Sequence, residues 1–144
     1  MHMSGPALKF VDSHSAIHEA ALIEATELTE LLEKVMKNED LEKAIELAFV
    51  IIEHWETRTL RHAESEEEGL YKEIVETKPE LKDDIVALTR DHDLLRLLVD
   101  EIKALLEQGE INDSVLQRFQ ALILVDLLHN QKELEVLPDH HDHD

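Results

Sequence analysis

Residues 60–71, LRHAESEEEGLY, place His62 four positions before Glu66. Residues four apart lie on one face of an α-helix, because each turn takes 3.6 residues. The same spacing recurs in residues 127–138, LLHNQKELEVLP, where Glu133 follows His129. Each pair can direct an imidazole and a carboxylate at one small object. The rest of the chain is therefore read as a scaffold that brings the two pairs together.

Four long segments have the apolar periodicity of helices, with apolar residues at steps of three and four. We expect the first helix to begin near residues 4–6 and to end at 37, and the second and third to span roughly residues 41–76 and 78–108. The fourth helix should begin after its cap at 112 or 113 and end before Pro138, and no segment alternates as a strand would. Long helices joined by short links pack as bundles. The sequence therefore predicts an all-α fold, an up-down-up-down antiparallel four-helix bundle over residues 6–138. Residues 1–5 are expected to be an irregular lead, and residues 139–144 a disordered tail of His and Asp.

Particular residues are expected to begin and end these helices. Asn38 or Asp40 should cap the second helix, because a side-chain oxygen accepts from the free N–H groups of a first turn. Thr77 should cap the third helix in the same way, with Pro79 inside its first turn. Gly109 suits the position after that helix. Asn112 or Asp113 should cap the fourth helix.

Composition excludes several classes of protein. The chain has 144 residues and no cysteine, so iron–sulfur clusters, thiol catalysis and disulfides are excluded. Its 14 basic and 34 acidic residues give a formal charge of −20, which repels nucleic acid and anionic membranes and attracts multivalent cations. No apolar run reaches the length of a membrane span, and no signal peptide is recognised. Cytoplasm is the expected location.

The histidines and glutamates form two similar hairpins in tandem. In each, an inward His is followed on the returning helix by His-x-x-x-Glu. The intervals from lead His to motif are 48 residues (62 − 14) and 37 residues (129 − 92), which differ by about three helical turns. Imidazole and carboxylate donors suit iron, manganese or zinc. Six donors are too many for one ion and suit two, with both glutamates bridging; the alternative is an ordinary polar core without metal.

This pattern resembles the hemerythrin-like (HHE cation-binding) family over about residues 7–138. The resemblance is carried by SHSAI, RHAESEEEGLY, RDHDLLRLL and LHNQKELEVLP. Members of that family hold a non-haem di-iron centre inside a four-helix bundle. The resemblance implies two iron ions, with manganese or zinc as alternatives. It implies bridging carboxylates from Glu66 and Glu133 and terminal imidazoles from His14, His62, His92 and His129.

A fifth imidazole separates the functional alternatives. Oxygen-carrying members have a second His one turn after the first on one inward helix, usually the third, where this chain has Arg96. Here His18 follows His14 by four residues, so the resemblance implies that His18 is also a ligand. The alternative reading of His18 is a histidine one turn below the metals, either part of the core or in contact with the ligands without binding an ion.

The sequence leaves three classes of function open, two of them with a bound metal and one without. The first is a protein that binds O2 reversibly for carriage, storage or sensing, by two-electron transfer from both ions. The second is a redox enzyme acting on peroxide or nitric oxide, or an iron-handling protein; the third is a metal-free helical interaction module. The binding protein is favoured over the enzyme, and the oligomeric state is left as monomer or weak dimer.

Several neighbouring residues are assigned no role at the metals. His54 is read as a boundary histidine rather than a ligand. Tyr71 is read as part of an ordinary bundle end rather than as a residue near the site or a channel, and Glu67 as part of a solvated face rather than as a further carboxylate ligand. Ferritin-like bundles use Glu-x-x-His pairs, and Asp126, three residues before His129, is the nearest approach to that motif.

Overall fold

The computed structural model describes the backbone of residues 6–137 and the side chains of residues 16–137. Throughout that range the regular structure is helical, without a strand, which confirms the all-α prediction. The predicted lead, residues 1–5, and the predicted tail, residues 139–144, lie outside the described residues. The elements are α1 (Pro6–Lys37), α2 (Leu41–His54), a π-helix (Trp55–Leu60), α3 (Arg61–Glu68), α4 (Leu70–Thr77), a 3-10 turn (Pro79–Leu81), α5 (Lys82–Glu107) and α6 (Asp113–Val136).

Two of the predicted caps are present. The side chain of Asp40 accepts from the backbone N–H of Lys43 and so caps α2. The side chain of Asn112 accepts from the N–H groups of Ser114 and Val115 and caps α6. Each oxygen satisfies donors that have no partner within the helix, which fixes where the helix begins.

The predictions for the two ends of the third predicted helix, residues 78–108, have different outcomes. Gly109 follows α5 with a φ of +78°, a conformation that favours glycine, as predicted. The prediction that Thr77 caps the third helix is wrong. Thr77 is the last residue of α4, and its hydroxyl donates backward to the carbonyl of Glu73. The arm begins instead with the 3-10 turn that contains Pro79.

The second arm, residues 41–77, is not one uniform helix. Its middle is the π-helix Trp55–Leu60, in which Trp55 and Thr59 are both buried. A π-helical turn holds more residues than an α-helical one, so it changes the rotation of the residues that follow it in the second arm. At Gly69 the backbone leaves helical geometry (φ −115°, ψ −84°), and α4 starts again beyond it.

Two apolar clusters fill the interior of the bundle and leave a polar layer between them. The larger one, around Leu32, Trp55, Ile102 and Phe119, lies toward the α1–α2 and α5–α6 links. The smaller one, around Tyr71, Ile74 and Leu88, lies toward the opposite end. The intervening layer contains buried polar residues (His18, Glu66, His92, Asp126, His129, Glu133). Among the helices of the described residues, none combines the length and apolar character needed to cross a bilayer.

Candidate metal centre

His92 of α5 and His129 of α6 meet at the middle of the bundle. Their Nε2 atoms are 3.1 Å apart, and both rings are almost completely buried. The Nδ1 of His92 donates to Glu67 Oε2 at 2.7 Å, and the Nδ1 of His129 donates to Asp91 Oδ2 at 3.0 Å. A carboxylate can only accept, so each Nδ1 carries a proton. The two Nε2 atoms therefore face each other and are the nitrogens that could bind an ion. We call His92 and His129 together the His92 half of the site.

Glu66 connects this half to the opposite side of the cluster. Its Oε1 lies 3.3 Å from His92 Nε2, and its Oε2 lies 3.4 Å from His18 Nε2. The π-helix and the four-residue steps of the second arm turn Glu66 inward, where it is 3 % exposed. One carboxylate thus reaches imidazoles from α1 and from α5.

Glu133 makes the matching connection from α6. Its Oε1 lies 3.5 Å from His18 Nε2, and its Oε2 lies 3.5 Å from His129 Nε2. Tyr71 also donates its hydroxyl to Glu133 Oε2 at 2.6 Å. Each of the two glutamates therefore directs one oxygen to His18 and the other to the His92 half.

The His18 half is formed by His18 and His62. Their ring centroids are 5.0 Å apart in an edge-on arrangement, and His18 is buried. The Nε2 of His18 contacts both carboxylates, at 3.4 Å from Glu66 Oε2 and 3.5 Å from Glu133 Oε1. His14 belongs to α1, but its side chain lies outside the described residues. Of the predicted ligands, the structure brings together His18, His62, Glu66, His92, His129 and Glu133, which we call the cluster.

The interpretation of Glu67 as part of a solvated face is wrong. Besides accepting from His92, its Oε2 accepts from Arg96 at 3.0 Å, and Arg96 also donates to Asp93. Arg96 therefore holds the carboxylate that orients His92. Asp91, which holds His129, was also missed. In a run of three glutamates, no sequence signal shows which one will face a histidine on another helix.

Tyr71 is not part of an ordinary bundle end, in contrast to the prediction. Its ring stacks on His92 with centroids 5.6 Å apart and an interplanar angle of 4°. Burial raises the pKa of Tyr71 well above its usual value, and the charges of Glu133 and Glu66 raise it further. The phenol consequently stays protonated and remains a donor to Glu133. The non-helical backbone at Gly69 precedes α4 and sets the direction from which Tyr71 reaches this carboxylate.

Asp126 is a further buried acid, which the sequence analysis singled out only as the nearest approach to a Glu-x-x-His pair. It is 1 % exposed, and neither of its oxygens has a hydrogen-bond partner within the described part of the chain. Burial raises its pKa from 3.8 to about 6, although the nearby charges of His18, His129 and His92 lower it. A negative charge next to the cluster, with no donor of its own, suits an interior in which positive charge is bound.

The acidic side chains around His129 change its pKa as well. Burial alone would lower its pKa. The hydrogen bond and charge of Glu133, with contributions from Asp91 and Glu66, raise it from 6.5 to about 9. A proton on His129 at neutral pH allows the two Nε2 atoms to approach to 3.1 Å. In the metal-free protein this proton lies between the two Nε2 atoms, where a metal ion would bind.

The donor set fits a pair of transition-metal ions. Two groups of three, His18–His62–Glu66 and Glu66–His92–His129, each have ligand atoms within 4.8 Å of one another and share Glu66. Donors at right angles around an ion, each about 2.1 Å away, are about 3 Å apart, close to the observed separations of 3.1–3.5 Å. Imidazoles whose Nδ1–H groups are held by carboxylates are the arrangement that metal sites use to orient ligands.

His54 lies away from the cluster. Its Nε2 donates to the backbone carbonyl of Ala21 at 2.9 Å, which agrees with its interpretation as a boundary histidine. Since it links α1 to α2 without contacting the carboxylates, it is a suitable control residue for experiments on the cluster.

Comparison with known proteins identifies a family. The family model described as the hemerythrin HHE cation-binding domain matches residues 10–138, most of the chain. No curated protein and no solved structure is significantly similar to the chain. The matched range contains every residue of the cluster.

Proposed function

Since the chain belongs to the hemerythrin HHE cation-binding family, we propose that its cluster holds two iron ions and binds O2 reversibly, for carriage, storage or sensing. One observation carries the proposal: Glu66 and Glu133 each direct one oxygen to His18 and the other to the His92 half. Carboxylates so placed can bridge two cations and offset their mutual repulsion. A pair of ferrous ions supplies the two electrons that O2 accepts.

The proposed ligands divide into two sets. His92 and His129 would hold one ion, and His18, His62 and His14 the other, with both glutamates shared. Manganese or zinc in place of iron remains the alternative that neutral imidazole and carboxylate donors allow. The position of His18 between both carboxylates supports the three-imidazole side that reversible O2 binding favours.

Apolar side chains border the cluster at both of its ends. The larger apolar cluster lies below it and the smaller one above it. An apolar surrounding slows the arrival of protons and water, which would otherwise favour irreversible oxidation. The protonated hydroxyl of Tyr71 donates a hydrogen bond to Glu133, and Glu67 and Asp91 keep the His92 half in the ligating tautomer.

The arrangement proposed for the bundle is up-down-up-down and antiparallel. Contacts between the first two arms support it, since His18 meets Glu66 while Glu24 meets Arg58. The last two arms give the same order, because Asp84 meets Lys132 while Glu101 meets Arg118. Antiparallel neighbours allow both His-x-x-x-Glu pairs to reach one layer.

We expect a cytoplasmic protein without affinity for nucleic acid, given its charge of −20.

Metal analysis and oxygen cycling test the proposal directly. Protein from iron-replete medium, purified without chelator, should contain two iron ions per chain. Mixing the reduced protein with O2 should produce an absorption band that disappears under vacuum over repeated cycles. His18→Leu should abolish the cycling, and His54→Leu, the same change outside the cluster, should preserve it. Less than about one equivalent of metal would support the metal-free interaction module instead.

A second candidate is favoured by Tyr71. Reduction of peroxide or nitric oxide consumes protons. The hydroxyl of Tyr71 carries a proton, and its oxygen lies 2.6 Å from Oε2 of Glu133. In this alternative the protein is a di-iron redox enzyme rather than a carrier. Many turnovers of added peroxide or nitric oxide, with irreversible bleaching by O2, would establish it and rule out the carrier. An iron-handling role would instead give iron that transfers readily to a competing chelator.

A further inference from the structure

The outward surface of α6 differs from the other helix surfaces of the described residues. Between Arg118 and Lys132 the only ionisable residues of α6 are Asp126 and His129, and both point inward. By contrast, the exposed side of α1 carries Glu19, Glu24, Glu27 and Glu30. In a chain in which 33 % of residues are charged, an uncharged surface of this length needs an explanation.

This surface has the spacing of a helix–helix interface. Exposed residues recur at alternating steps of three and four, the a and d positions of a heptad repeat. We call the set the outer face of α6: Gln117, Gln120, Leu124, Leu127, Gln131 and Leu134, with Leu128 beside them. Leu124, Leu128 and Leu134 are each 56 % exposed and Leu127 is 41 % exposed. Four large exposed leucines on one stripe form a patch of the kind that marks an interaction site.

The two cations that flank the outer face are already engaged elsewhere, while Glu135 lies exposed at its C-terminal end. Arg118 pairs with Glu101 at 2.9 Å, and Lys132 pairs with Asp84 at 3.1 Å, so both cations are drawn toward α5. Few cations are left beside the stripe to attract an acidic lipid headgroup or an acidic peptide. The surface is therefore neutral as well as apolar.

We propose that the outer face of α6 binds a second copy of this chain, forming a two-fold dimer through paired α6 helices. Two molecules that each carry −20 repel one another wherever their surfaces are acidic. The uncharged outer face of α6 is where they can approach most closely. A two-fold axis brings each patch against itself, so Leu124 and Leu127 meet leucines whether the helices run parallel or antiparallel.

The size of the surface sets the expected strength of the dimer. A helix of 24 residues is about 36 Å long and offers on the order of 600 Å² per copy, toward the lower end of stable interfaces. We therefore expect an exchanging dimer rather than an obligate one. His129 and Glu133 project from the opposite side of the same helix, so the pairing leaves the cluster uncovered.

Sedimentation equilibrium of the full chain tests the proposal. The protein should be dimeric at about 100 µM. Because repulsion between the acidic molecules opposes the dimer, raising the salt from about 50 mM to about 500 mM should strengthen it severalfold. Leu124→Glu with Leu127→Glu should weaken the dimer at least tenfold, whereas Leu97→Glu, at an equally exposed leucine of α5, should not.

A crosslinking experiment keeps the test independent of how the double variant folds. The chain has no cysteine, so Leu127→Cys introduces a single thiol on the outer face and Leu97→Cys a single thiol on α5. A short thiol crosslinker should join the first variant and not the second. A monomer at all concentrations, equal crosslinking of both variants, or a monomer that binds lipid vesicles through this face would each overturn the proposal.

Discussion

His92 Nε2 and His129 Nε2 face each other at 3.1 Å while the Nδ1 of each ring donates to a carboxylate on the far side. Two neutral imidazoles held in this way would direct lone pairs at one another. In the metal-free protein a proton on His129 relieves that repulsion, and its pKa is raised to about 9. A metal ion must replace this proton, which makes metal binding dependent on pH.

Metal binding to the His92 half should therefore release a proton and weaken as the pH falls. Below pH 9 the folded protein holds a proton on His129 that the metal displaces, so affinity should fall up to about tenfold per pH unit from this group. Competition with a chromophoric chelator between pH 6.5 and 9 measures the slope. Calorimetry in buffers of different ionisation enthalpy should count about one proton from this group for each ion bound in the His92 half at pH 7.5. An affinity independent of pH in this range would contradict the assignment.

Asp126→Asn should stabilise the metal-free protein and weaken metal binding. The pKa of Asp126 is raised from 3.8 to about 6 (a difference of about 2.2), so the folded state keeps its proton longer than the unfolded state. Stability is therefore lost as the pH rises from about 4 to 6, by up to about 3 kcal/mol. Urea unfolding of the metal-free variant should show a gain about 1 kcal/mol larger at pH 8 than at pH 5.

The control for this prediction is Asp100→Asn, at an exposed position of α5. It should change stability by less than about 0.5 kcal/mol, as surface substitutions do. In the metal-loaded protein the effect of Asp126→Asn should reverse, because a negative charge close to two dications is lost. A variant that stabilises both forms equally would show that Asp126 does not interact with the bound ions.

Glu67→Gln should lower metal affinity without unfolding the protein. The carboxylate accepts from His92 Nδ1 at 2.7 Å and is itself held by Arg96. Loss of its charge weakens the bond that orients the ring and makes Nε2 a poorer donor, at a cost of about 10- to 100-fold in affinity. Glu68→Gln changes the exposed neighbour and should have no effect. Equal affinities of the two variants would leave Glu67 as a surface ion pair.

Tyr71 should remain protonated far into the alkaline range. It is the only tyrosine of the chain, so phenolate absorbance near 295 nm reports on it alone, apart from the background of Trp55. Burial and the charge of Glu133 raise its pKa, so the phenolate signal should be absent in the folded protein at pH 11 and present in urea. Stability conferred by the protonated phenol is lost as the pH rises above 10. A phenolate signal with an ordinary midpoint in folded protein would contradict the bond to Glu133.

Much of the fold and of the cluster could be predicted because it depends on local periodicity. The i, i+4 spacing puts His62 with Glu66 and His129 with Glu133 on single faces, whatever the partner helix. Helix ends depend on short-range backbone bonding, so Gly109 was predicted, and Asp40 and Asn112 were each one of two predicted caps. The prediction for Thr77 was wrong because a threonine hydroxyl can donate backward to a carbonyl of its own helix as well as accept from an N–H of the helix that follows.

The sequence by itself determined four amphipathic helices and an inward row of imidazoles and carboxylates, because these follow from residue types at fixed spacing. Only the tertiary structure decided that Glu67, Asp91 and Tyr71 hold the members of the cluster, and that Asp126 is buried without a donor. The reason is geometric. Which residue of an acidic run meets a histidine depends on the rotation and height of two helices packed together, and the π-helix and Gly69 change that rotation within the second arm.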